Sequence, residues 1–184
     1  MDVATSRVTA RLSNRSAFAV SPDGRWLVTS HHGTNDVRNA TLLDAKTIED
    51  VSPLSAHQRT ITHMEFSRDG ERLLTASHDR TVVLWDTSNW TPAVSLVGNQ
   101  DLATCAAISP DGETIATGND SGAITLWYAT SGQRLYEICH ISARVMSLEF
   151  SHDGQALFAL GNNKSVYVFS APRQSGNSAG EQDR

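Results

Sequence analysis

Phe66-Ser67-Arg68-Asp69-Gly70, followed by Leu73-Leu74-Thr75-Ala76-Ser77 and Thr81-Val82-Val83-Leu84-Trp85, decides the fold because it recurs. The same turn appears as Ser21-Pro22-Asp23-Gly24, Ser109-Pro110-Asp111-Gly112 and Ser151-His152-Asp153-Gly154. The four glycines are 46, 42 and 42 residues apart. The chemistry of each turn is local. Pro22 and Pro110 pre-set φ near −65°, Asp bonds its own backbone, and Gly accepts a positive φ without a Cβ penalty. Each turn should close a β-hairpin.

Strand-like runs flank every turn. Phe18-Ala19-Val20, Ile61 to Phe66, Leu102 to Ile108 and Val145 to Phe150 precede them. In the second, Ile61, Met64 and Phe66 alternate with Thr62 and Glu65 only roughly in phase. Small β-favouring runs follow at Leu27–Ser30, Leu73–Ser77, Ile115–Gly118 and Leu157–Leu160. A third run, β-branched and aromatic, comes at Ala40–Leu43, Thr81–Trp85, Ala123–Trp127 and Ser165–Phe169. Weaker fourth runs lie at about 47–54, 92–97 and 133–138. No stretch has a convincing helical period. Four strands per unit of about 42 residues is the arithmetic of a propeller blade.

Ala56-His57, the turn at Ser67 to Gly70, Thr75-Ala76-Ser77-His78-Asp79 and Leu84-Trp85-Asp86 together resemble one complete WD repeat. The pattern runs over roughly residues 10–170. Only the second unit keeps every key position. The Trp85 place is held by Leu43, Trp127 and Phe169, and the His57 place by Arg11, Asn99 and Ile141. The Asp79 place is held by Ser121 and Asn163 in the last two units, and the first carries extra residues around His31 to Asp36. The expected fold is all-β: a propeller-type array of four four-stranded antiparallel blades, at about 13–54, 55–97, 98–138 and 139–170. The last unit stops after its third run at Phe169-Ser170, and residues 6–12 are in register to supply its outer strand. Rings of the resembled family usually have seven or eight blades. Four therefore imply a partial ring or half of a two-chain ring, with apolar faces near Phe18 and Val20 at one end and Val166 and Val168 at the other.

His57, Ser77 and Asp79 imitate a hydrolase triad of base, nucleophile and orienting carboxylate. The resemblance implies a structural network instead, joining His57, a hydroxyl, Asp79 and the Trp85 indole. Thr75 or Ser77 supplies the hydroxyl, since alternation puts both on one face. Asn99, Thr117 and Trp127 are the matching residues of the third unit. No Gly-x-Ser-x-Gly elbow or phosphate loop is present. The histidines are scattered, and neither they nor Cys105 and Cys139 have metal-ligand spacing, so no metal or cofactor is expected.

The chain of 184 residues has a net charge of −5 with both signs interspersed, which argues against nucleic acid or an anionic membrane as partner. No apolar stretch reaches the roughly 20 residues of a membrane span. Met1 to Arg7 lacks a signal-peptide pattern, which makes the cytoplasm the default compartment. Residues 171–184 are polar and read as a disordered tail. The expected function is a non-catalytic scaffold for other proteins or peptides, with self-association open. A regulatory or recruiting propeller segment of a larger enzyme, such as a kinase or protease, is the alternative. The loops before the first strands and between the second and third gather the candidate contacts: Arg59, His78, Arg80, Asp101, Asp120, Arg144 and Lys164, with His32 and Asn162 beside them.

Overall fold

A computed structural model describes residues 11–31, 40–99 and 101–170 of the chain. Strands are the only regular elements among them. Blade one contains β1 (Arg15–Val20), β2 (Trp26–His31), β3 (Ala40–Asp44) and β4 (Asp50–Leu54). Blade two contains β5 (Ile61–Phe66), β6 (Arg72–Ser77), β7 (Val82–Asp86) and β8 (Thr91–Leu96). Blade three contains β9 (Ala103–Ile108), β10 (Thr114–Asn119), β11 (Ala123–Tyr128) and β12 (Arg134–His140). Blade four contains β13 (Val145–Phe150), β14 (Ala156–Gly161) and β15 (Val166–Ser170). Each blade is an antiparallel meander in chain order. The fourth therefore has three described strands instead of the expected four. Of the segment expected to complete it, residues 6–10 lie outside the described residues, and Arg11 and Leu12 belong to no strand. The expected tail, 171–184, also lies outside them, as does His32.

The recurring turn builds every β-hairpin between first and second strands in the same way. Ser21 Oγ donates to Asp23 Oδ1, and Ser67, Ser109 and Ser151 repeat this to Asp69, Asp111 and Asp153 at 2.5–2.6 Å. The same Asp oxygen accepts the N–H two residues on, and the same Ser oxygen accepts the N–H of the second strand. Gly24, Gly70, Gly112 and Gly154 sit at φ between 70° and 76°, which is why glycine recurs. The serine hydroxyls and backbone N–H groups hold the four Asp carboxyls below the usual carboxylate range.

The blades stack through three apolar clusters, one at each junction. The Trp85 face of blade two packs on blade one, and its opposite face, with Leu74, Ala76, Val82 and Leu84, receives the Trp127 face of blade three. Each first strand also carries a register shift near its start, at 15/18, 61/63 and 145/147 in β1, β5 and β13, and opposite 118/119 in β9. The displaced residues are Ser16, Thr62, Thr104 and Met146. A bulge re-aims the side chain it carries, and three of these reach the next blade. Ser16 Oγ donates to the Ile61 carbonyl (2.9 Å), Thr62 Oγ1 to that of Ala103 (2.9 Å) and Thr104 Oγ1 to that of Val145 (2.6 Å). Each of the three junctions thus has a hydroxyl-to-carbonyl hydrogen bond inside an apolar seam.

Candidate functional site

The second blade brings His57, Thr75, Asp79 and Trp85 together. Trp85 Nε1 donates to Thr75 Oγ1 (3.0 Å), and Thr75 Oγ1 lies 2.8 Å from His57 Nε2. On the other side of the ring, His57 Nδ1 is 3.1 Å from Asp79 Oδ2. The carboxylate has no proton to give, so His57 Nδ1 donates to it. The result is a relay, Trp85 to Thr75 to His57 to Asp79, with the first three members buried. Burial would push the Asp79 carboxyl up. Hydrogen bonds from His57, from Thr81 Oγ1 and from the Gln58 N–H outweigh it and hold the group well below the usual carboxylate range.

Ser77 is not in the relay. Its hydroxyl donates to the Arg59 carbonyl (3.2 Å) and accepts the Asp79 N–H (3.1 Å), bracing the turn that carries Asp79. Thr81, which sequence reasoning missed, holds Asp79 Oδ1 with both its N–H (2.9 Å) and its hydroxyl (2.5 Å) and lies 3.0 Å from His57 Nδ1. Its available signal was the Asp-x-Thr spacing, which favours an Asp side chain folded back on the N–H two residues later.

The other blades vary the relay in graded steps. In blade three Trp127 Nε1 donates to Thr117 Oγ1 (2.8 Å), Thr117 donates to Asn99 Oδ1 (3.2 Å), and Asn99 Nδ2 donates to the Arg80 carbonyl (3.2 Å). Ser121, in the Asp79 place, instead bonds Asn119 Oδ1, which also accepts the N–H groups of Gly122 and Ala123. In blade four the three places are Ile141, Ala159 and Phe169, all within one apolar cluster. Removing donor and acceptor together leaves nothing unsatisfied. Blade one breaks the set: Thr29 is buried in the Thr75 place, Leu43 holds the tryptophan place, and Thr29 Oγ1 has no hydrogen-bond partner among the described residues.

The candidate contact residues gather at one end of the blades because a backbone bond repeats there. The His78, Asp120 and Asn162 N–H groups, just after the second strands, donate to the carbonyls of Thr60, Leu102 and Arg144, just before the first strands (3.0–3.1 Å). Blades two, three and four thereby each clamp two loops side by side. Arg59, Arg80, Asp120 and Lys164 are exposed, while His78, Asp101 and Arg144 are half-buried. Arg80 and Lys164 occupy equivalent turn positions at φ 73° and 64°. Gly122 takes that place in blade three at φ 102°, where a Cβ would lie 2.0 Å from the Ile141 carbonyl oxygen. Asp120 of blade three pairs with Arg144 before blade four at 3.1 Å. A cavity of about 260 Å³ opens among the first strands, lined by Ser16, Thr62, Thr104 and Met146 with His78 and Arg144 at its margin.

In this arrangement Ser77 does not meet the imidazole. Thr75, not Ser77, faces the imidazole, and it is already shared with the Trp85 indole in a buried place. Burial pushes the Cys105 thiol up to about 12 and raises that of Cys139. Among the described residues no group of three or more His, Cys, Asp or Glu side chains is placed to hold a metal ion.

Comparisons agree with this geometry. The family model described as "WD domain, G-beta repeat" matches residues 49–86, from β4 of blade one through β7 of blade two, and 90–128, from β8 of blade two through β11 of blade three. Eukaryotic translation initiation factor 3 subunit I of Aspergillus terreus is 31% identical over 115 residues, covering 62% of this chain and 34% of that protein. Its counterpart in Candida albicans is 30% identical over 115 residues, 62% and 33% of the two chains. Apoptotic protease-activating factor 1 of Homo sapiens is 30% identical over 113 residues, 57% of this chain and 9% of that protein. The chain spans about a third or less of the length of these relatives.

Proposed function

From the two matched WD repeats we propose that the chain is a non-catalytic scaffold for protein–protein interaction. The observation that carries this reading is the backbone clamp from His78, Asp120 and Asn162 to the neighbouring loops. It fixes Arg59, His78, Arg80, Asp101, Asp120, Arg144 and Lys164 at one end, beside the cavity of about 260 Å³. Loops whose backbone is already clamped lose little backbone freedom when a partner binds, which favours recognition. Arginines are over-represented among residues that anchor such interfaces, and Arg144 stands between the cavity and Asp120. In this reading the relay of His57, Thr75, Asp79 and Trp85, with its variant at Asn99, Thr117 and Trp127, holds the loops and does no chemistry.

The partner is a peptide or protein segment, with neither nucleic acid nor membrane involved and no cofactor needed. The name of the translation initiation factor relatives describes a subunit, a member of an assembly, and a comparable place is proposed here. The cytoplasm is the proposed compartment. Among the described residues no helix is long and apolar enough to cross a membrane. The blade limits at about 13–54, 55–97, 98–138 and 139–170 are proposed as the units of the fold.

Affinity capture with the intact chain tests the proposal. A partner retained by the native protein should be lost from a His78→Glu, Arg144→Glu double variant whose melting temperature is unchanged. Equal retention by the two proteins would overturn the placement of the site at this end.

A further inference from the structure

Charge is unevenly placed on the chain, whose net value is −5. One end is formed by the loops before the first strands and between the second and third. Among the described residues it carries Arg11, Arg15, Arg59, Arg80, Arg144 and Lys164 against Asp79, Asp101 and Asp120, and is net positive. At the hairpin turns of the opposite end the balance reverses. Asp23, Asp69, Glu71, Asp111, Glu113 and Asp153 outnumber Arg25, Arg68 and Arg72 there.

The loop-end carboxylates are already engaged. Asp79 belongs to the relay, Asp120 pairs with Arg144, and Asp101 Oδ1 accepts the Leu102 N–H (2.7 Å). Arg59, Arg80 and Lys164 are exposed and form no ion pair among the described residues. Two of these cations also stand where the backbone resists them. Arg80 and Lys164 hold equivalent turn positions at φ 73° and 64°, a region that glycine enters freely and other side chains rarely adopt. Their N–H groups close each turn onto the carbonyls of Ser77 and Gly161 (3.1 and 3.0 Å), which fixes both corners. The cavity beside them has little left to discriminate with. Its Ser16, Thr62 and Thr104 hydroxyls already donate to carbonyls of the next blade. The charged rim is what remains to choose a partner.

Resting on the scaffold reading above, we propose that the partner segment recognised at this end is an acidic stretch of polypeptide, its carboxylates set against Arg59, Arg80 and Lys164. Arginine and lysine meet carboxylates through charge-assisted hydrogen bonds. Complementary charge speeds encounter and excludes wrong partners. A nucleic acid fits less well, because its long row of phosphates would also meet the field of the acidic remainder of the chain.

Selection of short random peptides displayed on phage against the intact chain, followed by fluorescence anisotropy of the selected peptides, tests this. Peptides that bind the native chain and are lost from the His78→Glu, Arg144→Glu variant should be enriched in Asp and Glu over the starting library. Their affinity should fall as salt rises, and should fall roughly tenfold or more in an Arg80→Gly, Lys164→Gly variant. Glycine suits both backbone positions, so that variant should keep the native circular dichroism. Peptides lost from the first variant yet not enriched in acidic residues, or indifferent to salt or to the glycine variant, would overturn this inference and leave the scaffold reading standing. A single-stranded RNA that displaces the selected peptides at equal concentration would overturn the choice of polypeptide. Peptides retained equally by the first variant, or a selection that returns none, would overturn the placement of the scaffold site and this inference with it.

Discussion

Thr29 and Thr75 hold the same place on the second strands of successive blades, and both are buried, yet among the described residues only Thr75 has partners for its hydroxyl. Thr75 accepts from Trp85 and lies beside His57, whereas Thr29 faces a blade in which Leu43 stands in the tryptophan place. A buried hydroxyl without a partner costs about 1–3 kcal/mol. Thr29→Val keeps the β-branched shape and removes that cost. It should raise the melting temperature, stabilising by about 1 kcal/mol. Thr75→Val, the same change one blade later, should lower it. Equal effects of the two substitutions would show that the hydroxyl environments do not differ.

Gly122 and Gly24 separate two demands on glycine. Both have positive φ, but the space around a Cβ is open at Gly24 and occupied by the Ile141 and Ala143 carbonyl oxygens at Gly122. Gly24→Ala should therefore cost about 1 kcal/mol, the backbone term alone. Gly122→Ala should cost about 3 kcal/mol or more, since backbone must move away. Urea unfolding of the two variants measures the difference.

Acid should weaken the second blade through Asp79. Its carboxyl binds protons less readily in the folded chain than in the unfolded one. The stability it contributes is therefore fully present above the unfolded value, about pH 4, and is lost as pH falls from there toward the lower folded value. The four turn aspartates shift in the same direction and add to the same trend. Melting curves between about pH 5 and pH 2 should fall for the native chain and fall less steeply for Asp79→Asn, which starts less stable at neutral pH. Parallel curves would contradict the assignment.

The hairpins and the stacking order were legible because their causes are local. Ser-x-Asp-Gly carries its own hydrogen bonds, and the β-branched runs after it have no competing helical pattern. The relay was legible only in part. Thr75 and Ser77 lie on one strand face, and alternation cannot separate them; the position of the Trp85 indole does. Thr81 acts from beyond the turn and has no period to reveal it. The inter-blade hydroxyls of Ser16, Thr62 and Thr104 sit on register shifts. The imperfect alternation of Ile61-Thr62-His63-Met64 was the trace of that bulge, but its cause is the neighbouring carbonyl at Ala103, 41 residues away. The outer strand expected from residues 6–12 falls mostly outside the described residues.

The central claim is that the Trp85–Thr75–His57–Asp79 relay holds a binding scaffold together and is not a reaction centre. A double-mutant cycle on Trp85→Phe and Thr75→Ala tests it most directly, because Phe169 and Ala159 make the same pair in blade four. Each single change should destabilise by about 1–3 kcal/mol or more. The double variant should lose less than the two singles summed, by about 0.5–3 kcal/mol of coupling. Strictly additive losses in urea unfolding would mean that the indole–hydroxyl bond contributes nothing to the fold, and the structural account of the relay would fail.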